Sequence, residues 1–139
     1  MLALKSHPNL DARLVSIAGF DVVIAPSDDM NDVLAATDVL ITDYSSSIFE
    51  WALLRRPLIL LVPDLAEYVR EPGLYVDYGP GMIGTQVTDT DGAIEALRRI
   101  EAGDVDVSGY EAFIARHLGA SDGHASRRIV EQFVPADLA

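Results

Sequence analysis

Three consecutive serines follow a short apolar run near the middle of the chain, at a position that suggests anion binding. The segment consists of Thr42, Asp43, Tyr44, Ser45, Ser46 and Ser47, between a predicted strand at 39–41 and a helix predicted to begin near Ser47. Hydroxyls and unpaired N–H groups at a helix N-terminus bind phosphates, so a pyrophosphate would suit this turn. The serines could equally do no more than cap the helix, with Asp43 as a turn residue. The spacing alone favours neither interpretation.

Serine nucleophile chemistry is disfavoured at this turn. An α/β-hydrolase places its nucleophile in a Gly-x-Ser-x-Gly turn, and that pattern is absent around these serines.

Two further loop segments carry residues that could act on a phosphate or a hydroxyl. His7 follows the first predicted strand in Lys5-Ser6-His7-Pro8-Asn9 and could donate to a phosphate or sugar hydroxyl, although a lone loop histidine commonly has no such role. The other segment, Asp122-Gly123-His124-Ala125-Ser126-Arg127-Arg128, enters a predicted helix. Its two arginines are interpreted as solvated surface residues.

The elements that must position these residues alternate between strand and helix. Continuous apolar runs at 2–4, 22–25, 39–41 and 58–62 are typical of strands buried on both faces of a parallel sheet. Helices are predicted at 30–36, 47–55, 64–70 and 89–102, with two more in 109–134 broken at 119–123. This order predicts an α/β fold: a Rossmann-like parallel sheet with helices on both faces, in one domain over residues 1–139. We expect strands 22–25, 39–41 and 58–62 to be adjacent and buried.

Composition excludes several classes of function. The 139 residues contain 22 acidic and 10 basic side chains, a net charge of −12, which argues against nucleic-acid binding through a basic face. Without cysteine the chain has no disulfide, thiolate nucleophile or Cys-based zinc site, as is typical of a reducing compartment.

In combination these segments resemble the CDP-glycerol:poly(glycerol phosphate) glycerophosphotransferase family of teichoic acid synthesis. Five blocks carry the resemblance in order along most of the chain: His7-Pro8, 37–57, 63–68, 73–78 and 122–131. The resemblance implies a GT-B architecture, in which two Rossmann-like domains face a cleft. It identifies this chain with the C-terminal, donor-binding half.

The same resemblance implies a reaction and a set of site residues. His7 would be catalytic, and the 42–47 turn would bind the phosphates and glycerol of a CDP-glycerol donor, with Asp122, Gly123 and Ser126 nearby. A hydroxyl of a polyol-phosphate acceptor would attack the donor's β-phosphorus and release CMP, without a metal or cofactor. The family works in the cytoplasm at the inner face of the cell membrane, which we therefore expect here.

Two departures from the family pattern make us expect that this chain alone is incomplete as an enzyme. Family members carry an N-terminal acceptor domain and a Pro-Thr-x-Arg-type motif upstream of the His-Pro block, and these 139 residues contain neither. The open alternatives are a GT-B glycosyltransferase domain that uses a nucleotide sugar, and a non-catalytic binding remnant. A receiver-type signalling domain is disfavoured because it needs a lysine at a later strand end, and Lys5 is the only lysine.

Overall fold

The computed structural model describes residues 1–7 and 17–134 in two compact units, Met1–Thr37 and Asp38–Ala139. Each unit is described by itself below. Pro8 and Asn9, which follow His7, lie outside the described residues. The assignment of the whole chain to one donor-binding domain stays a prediction.

In residues 1–7 and 17–37, the described part of the first unit, the structure has two parallel strands and a helix. Strand β1 (Ala3–Lys5) pairs with β2 (Val22–Ile24), and helix α1 spans Met30–Ala35. The Lys5 ammonium donates hydrogen bonds to the backbone carbonyl oxygens of Ala25, Pro26 and Asp28, at 2.9, 3.4 and 3.1 Å. Lys5 therefore ties the end of β1, just before His7, to the loop that follows β2.

The predicted burial of 22–25 is wrong. Val22 and Val23 are 39% and 52% exposed, and β2 pairs with β1 rather than with the strand predicted at 39–41. A continuous run of β-branched residues reports strand propensity as well as burial. The run therefore predicted the strand without fixing its exposure or its partner.

The second unit is built on a three-stranded parallel sheet. Strands β3 (Leu40–Thr42), β4 (Leu58–Leu61) and β5 (Thr85–Val87) lie in that order, with β4 at the centre. Successive residues of β4, from Leu58 to Leu60, are all fully or almost fully buried, so both faces of the sheet are covered. The predicted adjacency of 39–41 and 58–62 is confirmed. Strand β5 was not predicted, because this short edge strand has no apolar run.

In the described part of this unit, residues 38–134, five helices accompany the sheet, all within the predicted ranges. They are α2 (Ser47–Leu54), α3 (Leu65–Arg70), α4 (Thr90–Glu101), α5 (Tyr110–Leu118) and α6 (Ala125–Phe133). Helix α4 covers one sheet face, where Ala93 and Ala96 pack against Ile59. None of the helices in residues 1–7 and 17–134 has the length and apolar character needed to cross a membrane.

Helices α2 and α5 are fixed to the residue that leads into β4. The Trp51 indole N–H and the Tyr110 hydroxyl both donate to the carbonyl oxygen of Arg56, at 3.1 and 2.6 Å. Trp51 is wholly buried. Trp51 thus fixes the middle of α2, and Tyr110 fixes the start of α5, to the backbone ahead of β4.

Candidate functional site

Ser45 organises the turn between β3 and α2. Its hydroxyl oxygen accepts a hydrogen bond from the Ser47 backbone N–H at 3.2 Å and lies 2.8 Å from the Ser47 hydroxyl oxygen. The Ser47 side chain is buried and makes this contact inside the protein. Two of the three serines therefore stabilise the start of α2, as the capping interpretation predicted.

Ser46 differs from its two neighbours. It occupies the N-cap position of α2, but its side chain makes no capping hydrogen bond, and the residue is exposed. Its hydroxyl lies beside the positive end of the helix dipole. The three serines thus differ: Ser45 accepts the first N–H of the helix, the Ser47 hydroxyl contacts the Ser45 hydroxyl, and the exposed Ser46 hydroxyl makes no capping hydrogen bond.

Tyr44 belongs to an aromatic cluster with Tyr68 and Tyr78. Its ring stacks on that of Tyr68, with centroids 3.7 Å apart, and the Tyr78 ring lies at 5.7 Å. The Tyr44 hydroxyl donates to the Asp64 carboxylate at 2.6 Å, and the Tyr78 hydroxyl donates to the Asp43 carbonyl oxygen at 2.9 Å. The turn is therefore held from α3 on one side and from the segment before β5 on the other.

The phenols of Tyr44, within the turn, and Tyr78, which contacts it, are hydrogen-bond donors at neutral pH. Burial, together with the nearby Asp43 carboxylate, raises the pKa of Tyr78 to about 12. Burial and the hydrogen bond to Asp64 likewise raise the pKa of Tyr44 above its ordinary value. A raised pKa favours the protonated phenol, in keeping with the hydrogen bonds that both hydroxyls donate.

Sequence reasoning missed Asp64, Tyr68 and Tyr78 as parts of this site. A weak signal was present, since Asp64 stands at the N-cap of α3 and Tyr68 lies one helical turn later, on the same face. Nothing in that spacing identifies Tyr44, 20 residues earlier, as their partner.

An open cleft of about 550 Å³ runs alongside the turn. Its walls are the turn and start of α2, the tyrosine cluster, and the segment between α3 and β5; the lining residues are Tyr44, Ser45, Ser46, Ile48, Phe49, Tyr68, Pro72, Gly73, Leu74, Tyr75, Val76 and Tyr78. The volume is in the range of small-molecule sites. None of these lining residues is a lysine or arginine, so hydroxyls and the helix N-terminus are the groups that would attract an anion here.

The other two predicted residues of the turn, Thr42 and Asp43, lie where β3 ends and the turn begins. Thr42 is half-buried at the end of β3, and Asp43 is exposed directly after it. His7 follows β1 in the unit Met1–Thr37, whereas the turn belongs to the unit Asp38–Ala139. The prediction that His7 reaches the same phosphates therefore stays a prediction.

The loop from Asp122 to Ser126 has its own internal architecture. The Asp122 carboxylate accepts hydrogen bonds from the His124 N–H at 2.9 Å and from the Arg128 guanidinium at 2.7 and 2.8 Å, and Gly123 has φ +78°. The hydrogen bond from Arg128 holds the pKa of Asp122 below its usual value. Arg128 is therefore a structural clamp of this loop and not merely a solvated residue. Ser126 lies exposed in the first turn of α6.

The structure does not join this loop to the serine turn. Within residues 38–134, no hydrogen bond, ion pair or ring contact connects Asp122, Gly123 or Ser126 with the segment 42–47. Their predicted part in donor binding stays a prediction.

Comparison with known proteins gives one consistent result. A family model for CDP-glycerol:poly(glycerophosphate) glycerophosphotransferases matches residues 1–134. The teichoic acid ribitol-phosphate polymerase TarK of Staphylococcus aureus is 32% identical over 94% of this chain and 26% of its own length. The teichoic acid poly(glycerol phosphate) polymerase of Bacillus subtilis is 30% identical over 86% of this chain and 16% of its own length.

A solved structure shares the fold. A variant of the wall teichoic acid polymerase TagF with CDPG matches with a TM-score of 0.72 and 25% identity, over 94% of this chain and 33% of that one. This likeness confirms the predicted α/β fold with parallel sheets and flanking helices. The chain spans no more than about a third of these proteins. Because the family model covers almost its full length, the chain belongs to the CDP-glycerol:poly(glycerophosphate) glycerophosphotransferase family.

Proposed function

We propose that this chain is the donor-binding part of a CDP-glycerol glycerophosphotransferase, and that its cleft binds the CDP-linked polyol. The observation that carries the proposal is the position of the serine turn. It opens an eight-residue helix at the wall of a cleft of about 550 Å³, with the Ser46 hydroxyl not engaged in capping. A helix N-terminus with an available hydroxyl is suited to a pyrophosphate.

The cleft offers different chemistry to different parts of such a donor. The pyrophosphate would accept a hydrogen bond from the Ser46 hydroxyl and lie at the positive end of the α2 dipole, where the Ser47, Ile48 and Phe49 N–H groups already have partners within the turn. The tyrosines and Pro72–Val76 in the cleft wall offer apolar surface to the nucleoside. The exposed Asp43 carboxylate, next to the cleft residue Tyr44 in sequence, can accept hydrogen bonds from polyol hydroxyls.

In the proposed reaction a hydroxyl of a polyol-phosphate acceptor attacks the donor's β-phosphorus. The new P–O bond forms to the acceptor oxygen, the bond to the CMP oxygen breaks, and CMP leaves. Catalysis of phosphoryl transfer depends mainly on positioning and charge stabilisation. We assign the turn to both tasks, and we assign His7 and the 122–126 loop to substrate binding. The acceptor-binding groups belong, in this proposal, to a further domain.

Donor selectivity tests this proposal. In calorimetric titrations the chain is expected to bind CDP-glycerol at least tenfold more tightly than UDP-glucose, because a CDP-specific site rejects a different base and a bulkier sugar. CDP-ribitol is the informative third ligand, because the relatives include both glycerol and ribitol enzymes.

The same titration includes a histidine variant and a control. His7→Ala is expected to bind CDP-glycerol more weakly than the unmodified chain, by a factor of about ten or more. This is the effect expected when a hydrogen bond to a charged phosphate is lost. Ser108→Ala, in the exposed loop before α5, is expected to match the unmodified chain. Tighter binding of UDP-glucose would favour the nucleotide-sugar alternative, and absence of binding to all three ligands would contradict the proposal.

A further inference from the structure

We infer that Tyr78 and Asp64 are positioning residues of the donor site, which hold the turn at Asp43 and Tyr44 in the conformation that binds the pyrophosphate. The inference rests on the function proposed above and extends it to two residues outside the turn. Both act through hydrogen bonds to the turn, not through contact with the reacting phosphorus.

Tyr78 connects the turn to the sheet. Its buried phenol donates to the Asp43 carbonyl oxygen at 2.9 Å, although 35 residues separate the two in sequence. Its own carbonyl oxygen accepts a hydrogen bond of 2.7 Å from the side-chain amide of Gln86 in β5. The backbone at Asp43, three residues before Ser46, is thereby tied to the opposite edge strand.

Asp64 holds the turn from the side of α3, and its side chain does not cap that helix. An aspartate at an N-cap position ordinarily accepts a hydrogen bond from the first turn of the helix that it precedes. Asp64 occupies that position in α3 but makes no such bond. Its carboxylate instead accepts the Tyr44 hydroxyl at 2.6 Å, while the Tyr44 ring stacks on Tyr68 of the same helix.

These two contacts flank the backbone directly before Ser45 and Ser46. Fixing the backbone of a free residue costs conformational entropy, which a ligand must overcome if the turn is mobile before binding. If the turn is already fixed before binding, the ligand does not have to overcome that cost. The entropy of fixing one residue's backbone corresponds to about 5- to 30-fold in affinity.

The test uses Tyr78→Phe, with Tyr110→Phe as its matched control. Both are buried tyrosines whose hydroxyls donate to a backbone carbonyl, but the Tyr110 bond goes to Arg56, at the start of β4 and away from the turn. Tyr78→Phe is expected to weaken CDP-glycerol binding by about 5- to 30-fold. Tyr110→Phe is expected to lower the melting temperature to a similar extent and leave the affinity unchanged.

A second pair of variants tests Asp64 by conservative rescue. Asp64→Ala removes the acceptor of the Tyr44 hydroxyl and is expected to weaken CDP-glycerol binding. In Asp64→Asn the side-chain amide oxygen can still accept that hydrogen bond. Asp64→Asn is therefore expected to restore most of the affinity. Equal affinity in Asp64→Ala and the unmodified chain would overturn the role of Asp64.

Amide hydrogen exchange at Ser47, whose N–H is hydrogen-bonded to the Ser45 hydroxyl, separates this inference from the proposed function when it is measured without ligand. Exchange is expected to be faster in Tyr78→Phe and Asp64→Ala than in the unmodified chain and in Tyr110→Phe. If the unmodified chain does not bind CDP-glycerol, the proposed function fails, and exchange still decides whether the turn is held. Unchanged exchange in Tyr78→Phe, or an equal loss of affinity in Tyr110→Phe, would overturn the inference.

Discussion

Replacing Ser46 with alanine is expected to weaken CDP-glycerol binding by about 10- to 150-fold without unfolding the protein. A hydrogen bond to a charged group contributes roughly 1.5–3 kcal/mol, which converts to that range of affinity. The Ser46 side chain makes no capping hydrogen bond in α2, so its loss leaves the helix start intact. Isothermal titration calorimetry measures the affinity, and circular dichroism checks the fold.

The neighbouring serine is the informative comparison for this variant. Ser45→Ala removes the acceptor of the Ser47 N–H and is expected to lower the free energy of unfolding by about 0.5–2 kcal/mol, the usual effect of a lost cap. Ser46→Ala should thus lower affinity without lowering stability, whereas Ser45→Ala should lower stability. If Ser46→Ala binds CDP-glycerol as the unmodified chain does, the turn is a helix cap and nothing more.

Replacing Trp51 with alanine is expected to lower the free energy of unfolding by about 3–5 kcal/mol, the range for a large buried aromatic residue. Trp51 is 0% exposed, and its indole N–H donates to Arg56 ahead of β4. Such a loss is a large part of the total stability of an ordinary domain, about 5–15 kcal/mol. Urea unfolding followed by circular dichroism measures it, since the variant lacks the only tryptophan of the chain.

A conservative replacement at the same position separates packing from hydrogen bonding. Trp51→Phe keeps an aromatic ring but loses the N–H donor, so it is expected to recover more than half of the loss. A change below about 1 kcal/mol in Trp51→Ala would show that α2 is not anchored at this residue.

Local chemistry made the serine turn and most helices predictable. Apolar runs placed β3 and β4, and the serines marked the start of α2, because strands and helix starts depend on residues close in sequence. The family resemblance, which the family model confirms, supplied the donor class that we propose, and no single motif in the chain would have indicated it.

The supports of the turn were not predictable, because they come from distant parts of the chain. Tyr78 reaches Asp43 across 35 residues, and Asp64 reaches Tyr44 across 20. Strand β5 lacks an apolar run, since an edge strand buries little. The exposure of β2 was missed because sequence shows that a segment prefers to be extended, but not what covers it.

The central claim is that the serine turn binds the donor's pyrophosphate. An NMR titration of the ¹⁵N-labelled chain with CDP-glycerol tests it most directly, because backbone amides report ligand contact residue by residue. The largest chemical-shift changes are predicted at the amides of Ser45, Ser46 and Ser47, with small changes along α4 on the sheet. Saturating CDP-glycerol that leaves those three amides unchanged while shifting others would contradict the claim.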